Sequence, residues 1–158
     1  MTNSQHIKIV PAQKDDLAEI LQLQKRAFQT EAESHGNYDI EPLRQTYESI
    51  LSDFDMYCFL KAVDGEKIIG SIKYRKTGEG IWLGKLIVDQ EYRGCGLGKR
   101  LLYEVEKLNP ETQKFQLFTA ASSVWNIHLY ESIGYRVCNE FSDDKQAGFV
   151  MVEMEKMK

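Results

Sequence analysis

The glycine-rich stretch between residues 88 and 102 constrains the fold of this chain more than any other part of it. An apolar run at residues 86–88 predicts the end of a buried strand, and the apolar spacing of residues 97–108 predicts a helix. Between them lie three alternate glycines: Gly94, Gly96 and Gly98. Glycine lets the backbone turn sharply, and a helix N-terminus presents unpaired N–H groups with a partial positive charge. The stretch therefore predicts a phosphate-binding loop.

Two common phosphate-binding motifs fit this loop poorly. A Walker loop requires Ser or Thr after its Gly-Lys pair, whereas Gly98 and Lys99 are followed by Arg100. A dinucleotide fingerprint requires the spacing G-x-G-x-x-G, whereas the glycines here are spaced G-x-G-x-G. A glycine-rich turn without a ligand is a further alternative, and the strand and helix on either side argue against it.

A third pattern, R-x-x-G-x-G, is met by Arg93, Gly96 and Gly98. It resembles the coenzyme A pyrophosphate motif of the GNAT superfamily of N-acetyltransferases. The resemblance implies that Arg93 and the amides of residues 94–99 hold the pyrophosphate, while the strand before the loop pairs with pantetheine through its backbone. The cofactor-binding residues so implied are Leu86, Ile87, Val88, Arg93, Gly94, Cys95, Gly96, Leu97, Gly98, Lys99 and Asn126.

A second stretch, residues 120–135, contains Asn126 and Tyr130 four positions apart, and therefore on one face of a predicted helix. It resembles the GNAT segment in which Asn contacts the pantetheine arm and Tyr lies near the thioester sulfur as a general acid. The resemblance implies that Tyr130 is the catalytic residue. Proton donation from a tyrosine near pKa ~10 to a thiolate near ~8.5 is uphill by roughly 2 kcal/mol. We therefore expect Tyr130 to contribute modestly, by hydrogen-bonding the sulfur as charge develops.

The order of predicted elements is βααβββαβαββ, which resembles the GNAT layout over essentially the whole chain. We therefore expect a single α/β domain, residues 1–158, with a central mixed sheet flanked by helices. The predicted strands are 7–10, 57–63, 68–75, 81–88, 114–119, 135–141 and 149–155, and the predicted helices begin near 15, 42, 97 and 124. Asp64-Gly65 predicts a hairpin turn, and Gly84 predicts a bulge or a close backbone approach. Residues 29–40 read as a loop or a frayed helix end.

Composition excludes several other classes. A net charge of −4 with pI near 5.5 argues against general nucleic-acid binding, and no apolar run approaches the ~20 residues of a membrane span. The first residues lack the pattern of a signal peptide. The three scattered cysteines show no metal-ligand spacing and favour reduced thiols in the cytoplasm. We expect no metal cofactor and no nucleic-acid or membrane partner, and the family resemblance implies a homodimer, the state of many relatives.

The residues that would bind the acceptor amine are less well defined by the sequence. Many GNAT relatives carry a glutamate on the central strand to deprotonate the amine, but here Lys85 is the only ionisable residue of strand 81–88. The resemblance places the acidic segment with Glu31, Glu33, Asp39 and Glu41 beside the acceptor, together with the loop at residues 142–146. Glu31, Glu33 and Tyr38 are the candidate substrate-binding residues.

The predicted function is acetyl transfer from acetyl-CoA to a primary amine of a small molecule, peptide or protein, by direct attack in a ternary complex. The alternative is a non-catalytic coenzyme A-binding regulatory module of the same fold. A nucleotide-binding switch is a third idea, which the missing hydroxyl after Lys99 opposes.

Overall fold

The computed structural model describes residues 6–36, 38–142 and 150–158. The strands are β1 Ile7–Pro11, β2 Cys58–Asp64, β3 Lys67–Lys76, β4 Ile81–Val88, β5 Lys114–Ala120, β6 Arg136–Ser142 and β7 Val150–Met157. The helices are α1 Leu17–His35, α2 Glu41–Arg44, α3 Tyr47–Met56, α4 Leu97–Leu108 and α5 Val124–Ser132. Two 3₁₀ turns, Lys14–Asp16 and Gln90–Tyr92, precede α1 and the glycine loop.

The strands form one seven-stranded sheet in the order β1-β2-β3-β4-β5-β7-β6. Neighbouring strands are antiparallel except β4 and β5, which are parallel and are joined through α4. The predicted mixed α/β fold, the β4–α4–β5 crossover and the closing antiparallel pair are confirmed. Ligands of such crossovers bind beyond the carboxyl ends of the parallel strands, where the glycine loop lies.

Helices cover both faces of the sheet because alternate strand residues point to opposite sides. On one face α4 buries Leu97, Leu101, Leu102 and Val105 against residues such as Leu60 and Phe115. On the other face α1 and α3 pack on Phe59, Ile68 and Ile87. None of the helices in the described ranges is both long and apolar enough to cross a membrane.

The first helix extends further than the sequence suggested. Residues 29–40 were predicted as a loop or a frayed helix end; residues 29–35 continue α1, so the loop alternative is wrong for them. Ala32 is fully buried there, so the helix keeps a packed face although its sequence is polar. Gly36, with φ 66°, ends the helix in the left-handed conformation that glycine adopts without strain.

The predicted second helix is divided in two. Gln45 and Thr46 adopt extended backbone between α2 and α3, and the Thr46 hydroxyl accepts a hydrogen bond from the Ser49 amide and so caps α3. Tyr47, the first residue of α3, is 43% exposed. The break turns the Gln45 side chain inward, where it joins a buried polar network described below.

The two glycine predictions in the sheet have different outcomes. Gly65 takes positive φ in the β2–β3 turn, which is formed by residues 65–66 rather than 64–65. At Gly84, a β-carbon would lie 2.6 Å from Cγ of Lys73, whose side chain crosses the strand at that point. The register of β3 and β4 also shifts between Ile72 and Tyr74, so the expected bulge is present, and the close neighbour of Gly84 is a side chain rather than another backbone.

Candidate functional site

The glycine loop is anchored at its start by side-chain contacts. The Tyr92 hydroxyl donates a 2.6 Å hydrogen bond to Asp64 at the end of β2, and this bond raises the pKa of Tyr92 to about 12. The Cys95 thiol donates to the Tyr92 carbonyl oxygen at 2.8 Å, so Cys95 bonds within the loop. These contacts fix the path of the backbone as it enters α4.

The loop presents unpaired amides at the start of α4. Gly94 and Gly96 have φ of 85° and 83°, and Gly96 is the N-cap of the helix. The first helical hydrogen bond runs from the Arg100 amide to the Gly96 carbonyl oxygen. The amides of Leu97, Gly98 and Lys99 therefore have no acceptor within the helix. Because the first turn of α4 carries no acidic residue, its positive end is open to an anion.

Three elements of the site, α4, α5 and β4, come close together at Gly98. A β-carbon on Gly98 would lie 3.1 Å from Leu129 of α5, 3.8 Å from Leu86 and 4.0 Å from Val88 of β4. The N-terminus of α4, the side of α5 and the end of β4 therefore meet at one point. The sequence assigned these three segments separately to coenzyme A, and the fold brings them together.

Beside this point β4 and β5 separate. The ladder between β4 and β5 contains two residue pairs, Ile81 with Phe115 and Trp82 with Gln116. After Trp82, the described residues of β4 pair only with β3. The β5-facing edge of residues 83–88 is thus left outside the sheet ladder, with its backbone groups available to a ligand. Ile87 itself is 3% exposed, so its side chain belongs to the core.

Asn126 and Tyr130 lie one turn apart on α5, as predicted. Tyr130 is 7% exposed and packs edge-to-face on Tyr135, with ring centroids 5.9 Å apart. Asn126 is half-buried. The carbonyl oxygen of Tyr130 accepts hydrogen bonds from the amides of Ile133 and Tyr135, which fixes the end of α5.

The basic residues around the loop point in different directions. Arg93 is exposed, and its Nη2 lies 3.4 Å from the Ala27 carbonyl oxygen of α1. Lys99 is exposed on the first turn of α4. Arg100 instead donates a 2.9 Å hydrogen bond to the Ile7 carbonyl oxygen of β1. Of the three, Lys99 lies exposed on the first turn of α4, whereas Arg93 and Arg100 each donate to a backbone carbonyl oxygen of another element.

On the sheet face opposite α4 and α5, a polar network lies where many relatives carry a glutamate on β4. Lys85 donates to both carboxylate oxygens of Glu41, at 2.9 and 2.8 Å, and to Oε1 of Gln45 at 2.8 Å. Burial, only partly offset by Glu41, lowers the pKa of Lys85. Asp53 continues the network by accepting from Gln45 at 2.7 Å and from Lys73 at 2.8 Å.

Sequence reasoning missed this network, although one signal was present. Gln24 occupies a position on the apolar stripe of α1, and it is 2% exposed and donates to Gln45 and to the Pro42 carbonyl oxygen. A polar side chain on a buried stripe needs a buried partner. The partners lie on other elements, so local spacing cannot identify them.

The predicted acceptor residues are only partly described. Glu33 is exposed on α1 and Tyr38 is 53% exposed before α2. The side chain of Glu31 and residues 143–146 of the predicted acceptor loop lie outside the described residues. Asp39 is paired with Arg44 at 3.1 Å rather than directed at the polar network.

An aromatic row lies on the open part of the same sheet face. Trp82 packs on Phe118 in a tilted contact with centroids 4.6 Å apart, and Phe118 meets Phe141 at 5.2 Å in a T-shaped contact. Phe118 is 48% exposed. The face that carries the Lys85 network therefore continues into an accessible apolar surface.

The fold and the site define a known family. The profile of the Acetyltransferase (GNAT) family matches residues 17–135. This range covers most of the chain and includes the glycine loop and α5. The chain therefore belongs to the GNAT acetyltransferase family.

Solved structures show the same fold at low sequence identity. PaiA N-acetyltransferase from Thermoplasma acidophilum, crystallised with coenzyme A, is 21% identical, with a TM-score of 0.79 over 96% of this chain and 99% of that one. The ribosomal-protein-S18-alanine N-acetyltransferase of Escherichia coli is 17% identical, with a TM-score of 0.77 over 96% and 93%.

A relative by sequence is the UPF0157 protein YqkA of Bacillus subtilis (strain 168). It is 26% identical over 118 residues, which are 75% of this chain. The match covers 34% of YqkA, so the similarity is confined to about a third of that protein.

Proposed function

We propose that this protein is an acetyl-CoA-dependent N-acetyltransferase that transfers acetyl to a primary amine by direct attack in a ternary complex. The observation that carries the proposal is the meeting of the α4 N-terminus, the end of β4 and α5 at Gly98. An anion-binding helix end, an unpaired strand edge and a tyrosine-bearing helix there match the three parts of acetyl-CoA: pyrophosphate, pantetheine and thioester.

The residues of the loop supply binding. The amides of Leu97, Gly98 and Lys99 donate to pyrophosphate oxygens, with the exposed Arg93 and Lys99 adding charge. The β5-facing backbone of residues 86–88 pairs with the amides of the pantetheine arm, and Asn126 contacts the same arm. An unpaired N–H near Val88 polarises the thioester carbonyl and stabilises the oxyanion that forms on attack.

The chemistry is a direct displacement. The neutral amine attacks the carbonyl carbon, the C–S bond breaks as the tetrahedral intermediate collapses, and the coenzyme A thiolate leaves. Tyr130 hydrogen-bonds the sulfur and can supply its proton. Cys95 donates its own S–H to the Tyr92 carbonyl oxygen, which disfavours a role as acyl-carrying nucleophile and supports direct transfer.

The acceptor amine must lose a proton, and β4 carries no carboxylate to take it. Glu41, 44% exposed, is more accessible than Asp53, the other carboxylate of the Lys85 network, and Lys85 binds both oxygens of Glu41. We therefore propose that proton loss passes to water, with Glu41 as a relay, and that the acceptor approaches along the aromatic row. The acceptor is a small molecule or a peptide amine.

A second candidate function is a coenzyme A-binding regulatory module without transfer activity. It is favoured by one observation, the occupation of the strand position by Lys85 in a closed ion pair. A screen of primary amines with acetyl-CoA, read by free-thiol release and by product mass, separates the two. Amine-dependent thiol release that falls in Tyr130→Phe supports the transferase, whereas coenzyme A binding with no release from any amine supports the module.

A further inference from the structure

A thiol and two carboxylates converge on the sheet face opposite α4 and α5. Glu153 and Glu155 lie on β7 and alternate with Val152 and Met154, whose side chains enter the core. Cys138 lies on the neighbouring strand β6. Among the residues that the structure describes, these three place their ligand atoms within 4.8 Å of one another.

A β-bulge directs Cys138 into this cluster. Val137 pairs with Met154 and Asn139 pairs with Glu153, so the register shifts across Cys138, which is the extra residue of β6. Bulges re-aim a side chain relative to the regular alternation of a strand. Here the result is a distance of 3.4 Å between Cys138 Sγ and Glu153 Oε2.

A buried amide adds an independent indication of a ligand. Gln116 of β5 pairs across the ladder with Glu155, is 5% exposed, and its Nε2 lies 3.4 Å from Glu153 Oε2. Its Oε1 is buried and has no hydrogen-bond partner. The two ends of a glutamine amide exchange by a half-turn, so the carbonyl oxygen can face the carboxylates if a cation lies between them.

We propose that Cys138, Glu153, Glu155 and Gln116 form a zinc-binding site that joins β5, β7 and β6. A tetrahedral zinc ion with typical Zn–S and Zn–O bonds separates sulfur from oxygen by roughly 3.6 Å. The 3.4 Å between Cys138 and Glu153 is close to that spacing. Thiolate and carboxylate are ligand types that zinc accepts together.

The charge of the surroundings also suits a divalent cation. Lys114 lies 3.7 Å from Glu155 Oε2 and partly neutralises the carboxylates. When the thiol binds, its proton passes to solvent, and the thiolate, two carboxylates and one ammonium then sum to two negative charges. The site is built from the strands of the C-terminal half of the sheet and includes none of the residues assigned to coenzyme A. It is therefore a structural site that fastens the edge strand β6.

Calorimetry and cobalt substitution on the chelator-treated protein test this proposal. We expect one equivalent of Zn²⁺ to bind, and Co²⁺ to give a thiolate charge-transfer band. Cys138→Ser should abolish the band and weaken Zn²⁺ binding by about 100-fold or more, and Gln116→Leu should weaken it by about 10-fold. Cys58→Ser, which removes an exposed thiol of β2, is the matched control and should bind as the unaltered protein does.

Thermal melting shows whether a variant that loses Zn²⁺ binding is still folded. Zn²⁺ should raise the melting temperature of the unaltered protein and of Cys58→Ser but not of Cys138→Ser, while the metal-free melting temperatures of all three stay close. The proposal is overturned if no Zn²⁺ binds, if Cys138→Ser keeps the binding and the band, or if Cys58→Ser loses them. These readouts do not require acetyltransferase activity, so their outcome is separate from that of the proposed function.

Discussion

Gly98 packs against Leu129 with little space between them: a β-carbon on Gly98 would lie 3.1 Å from Cδ2 of Leu129. This contact sets α5, with Asn126 and Tyr130, against the end of α4 that carries the unpaired amides. The third glycine of the motif thus allows α4 and α5 to pack closely at this point. The first two are required for backbone conformation, since both have positive φ.

Because Gly98 and Leu129 are so close, we expect the protein to lose more stability as the side chain at position 98 becomes larger. Gly98→Ala should be nearly neutral for stability, because Leu129 can shift by a few tenths of an ångström and alanine favours the helix. Gly98→Val should destabilise by about 1–3 kcal/mol, as overpacking does, and should weaken acetyl-CoA binding. Urea denaturation and calorimetry measure the two effects.

The partner of this contact supplies a control. Leu129→Ala opens space beside Gly98, so the double variant Gly98→Val/Leu129→Ala should be more stable than the sum of the single effects by about 1 kcal/mol. Strict additivity would show that the two side chains do not meet.

Gly96 and Gly65 form a matched pair for testing the loop. Both have positive φ and open space where a β-carbon would lie, but only Gly96 is at the proposed pyrophosphate site. Alanine at either position should cost about 1–2 kcal/mol of stability through backbone strain. Only Gly96→Ala should also weaken acetyl-CoA binding, which calorimetry on both variants would measure. Equal binding losses in the two variants would remove the loop from the site.

Tyr130→Phe should separate binding from turnover. The ring can keep its edge-to-face contact with Tyr135, so stability and acetyl-CoA affinity should change little. Turnover with an amine found by screening should fall by about 100-fold or less, since a tyrosine that orients the sulfur contributes modestly. Steady-state kinetics at saturating acetyl-CoA give the answer, and an unchanged kcat would show that Tyr130 takes no part in the chemistry.

Removing Glu41 from its pair with Lys85 should destabilise the protein more than removing Lys85. Glu41→Ala leaves a buried ammonium without its carboxylate and should cost about 1–3 kcal/mol. Lys85→Met leaves Glu41, which is 44% exposed and can be hydrated, so its cost should be smaller. Urea denaturation at pH 7 gives the ranking, and the opposite order would contradict it.

The same pair predicts a pH dependence with a defined sign. Because burial lowers the pKa of Lys85 below its usual 10.5, folding with the ammonium carries a cost that is complete below the folded pKa. That cost declines as pH rises toward 10.5. The stability of the unaltered protein relative to Lys85→Met should therefore increase with rising pH over this range. A difference that is flat or decreasing would show that the pKa is not lowered.

The elements nearest the glycine loop are the ones that the sequence predicts best. The bounds of β4 agree with the prediction because an apolar run ends it, and those of α4 agree because glycines precede it and its apolar spacing is regular. Both signals are local. The division of the second helix is different, since it depends on Gln45 bonding to Gln24 and Lys85, which are far away along the chain.

The residues proposed for coenzyme A could be found from local sequence, whereas the Lys85 network and the Cys138 cluster could not. The proposed coenzyme A residues lie in two short motifs, so their resemblance to the GNAT motifs implies the cosubstrate from the sequence alone. The Lys85 network and the Cys138 cluster each combine residues from several elements that lie far apart along the chain. Strand order decides which residues meet there, and the placement of β7 between β5 and β6 is not visible in residue spacing.

The central claim is that the loop at Gly96 and Gly98 holds coenzyme A, and titration calorimetry with acetyl-CoA tests it most directly. We predict saturable binding of one acetyl-CoA per chain, weakened in Gly96→Ala and unaffected in Gly65→Ala, with no comparable heat from ATP and magnesium. Absence of acetyl-CoA binding to the folded protein, or binding of ATP and magnesium in its place, would contradict the account.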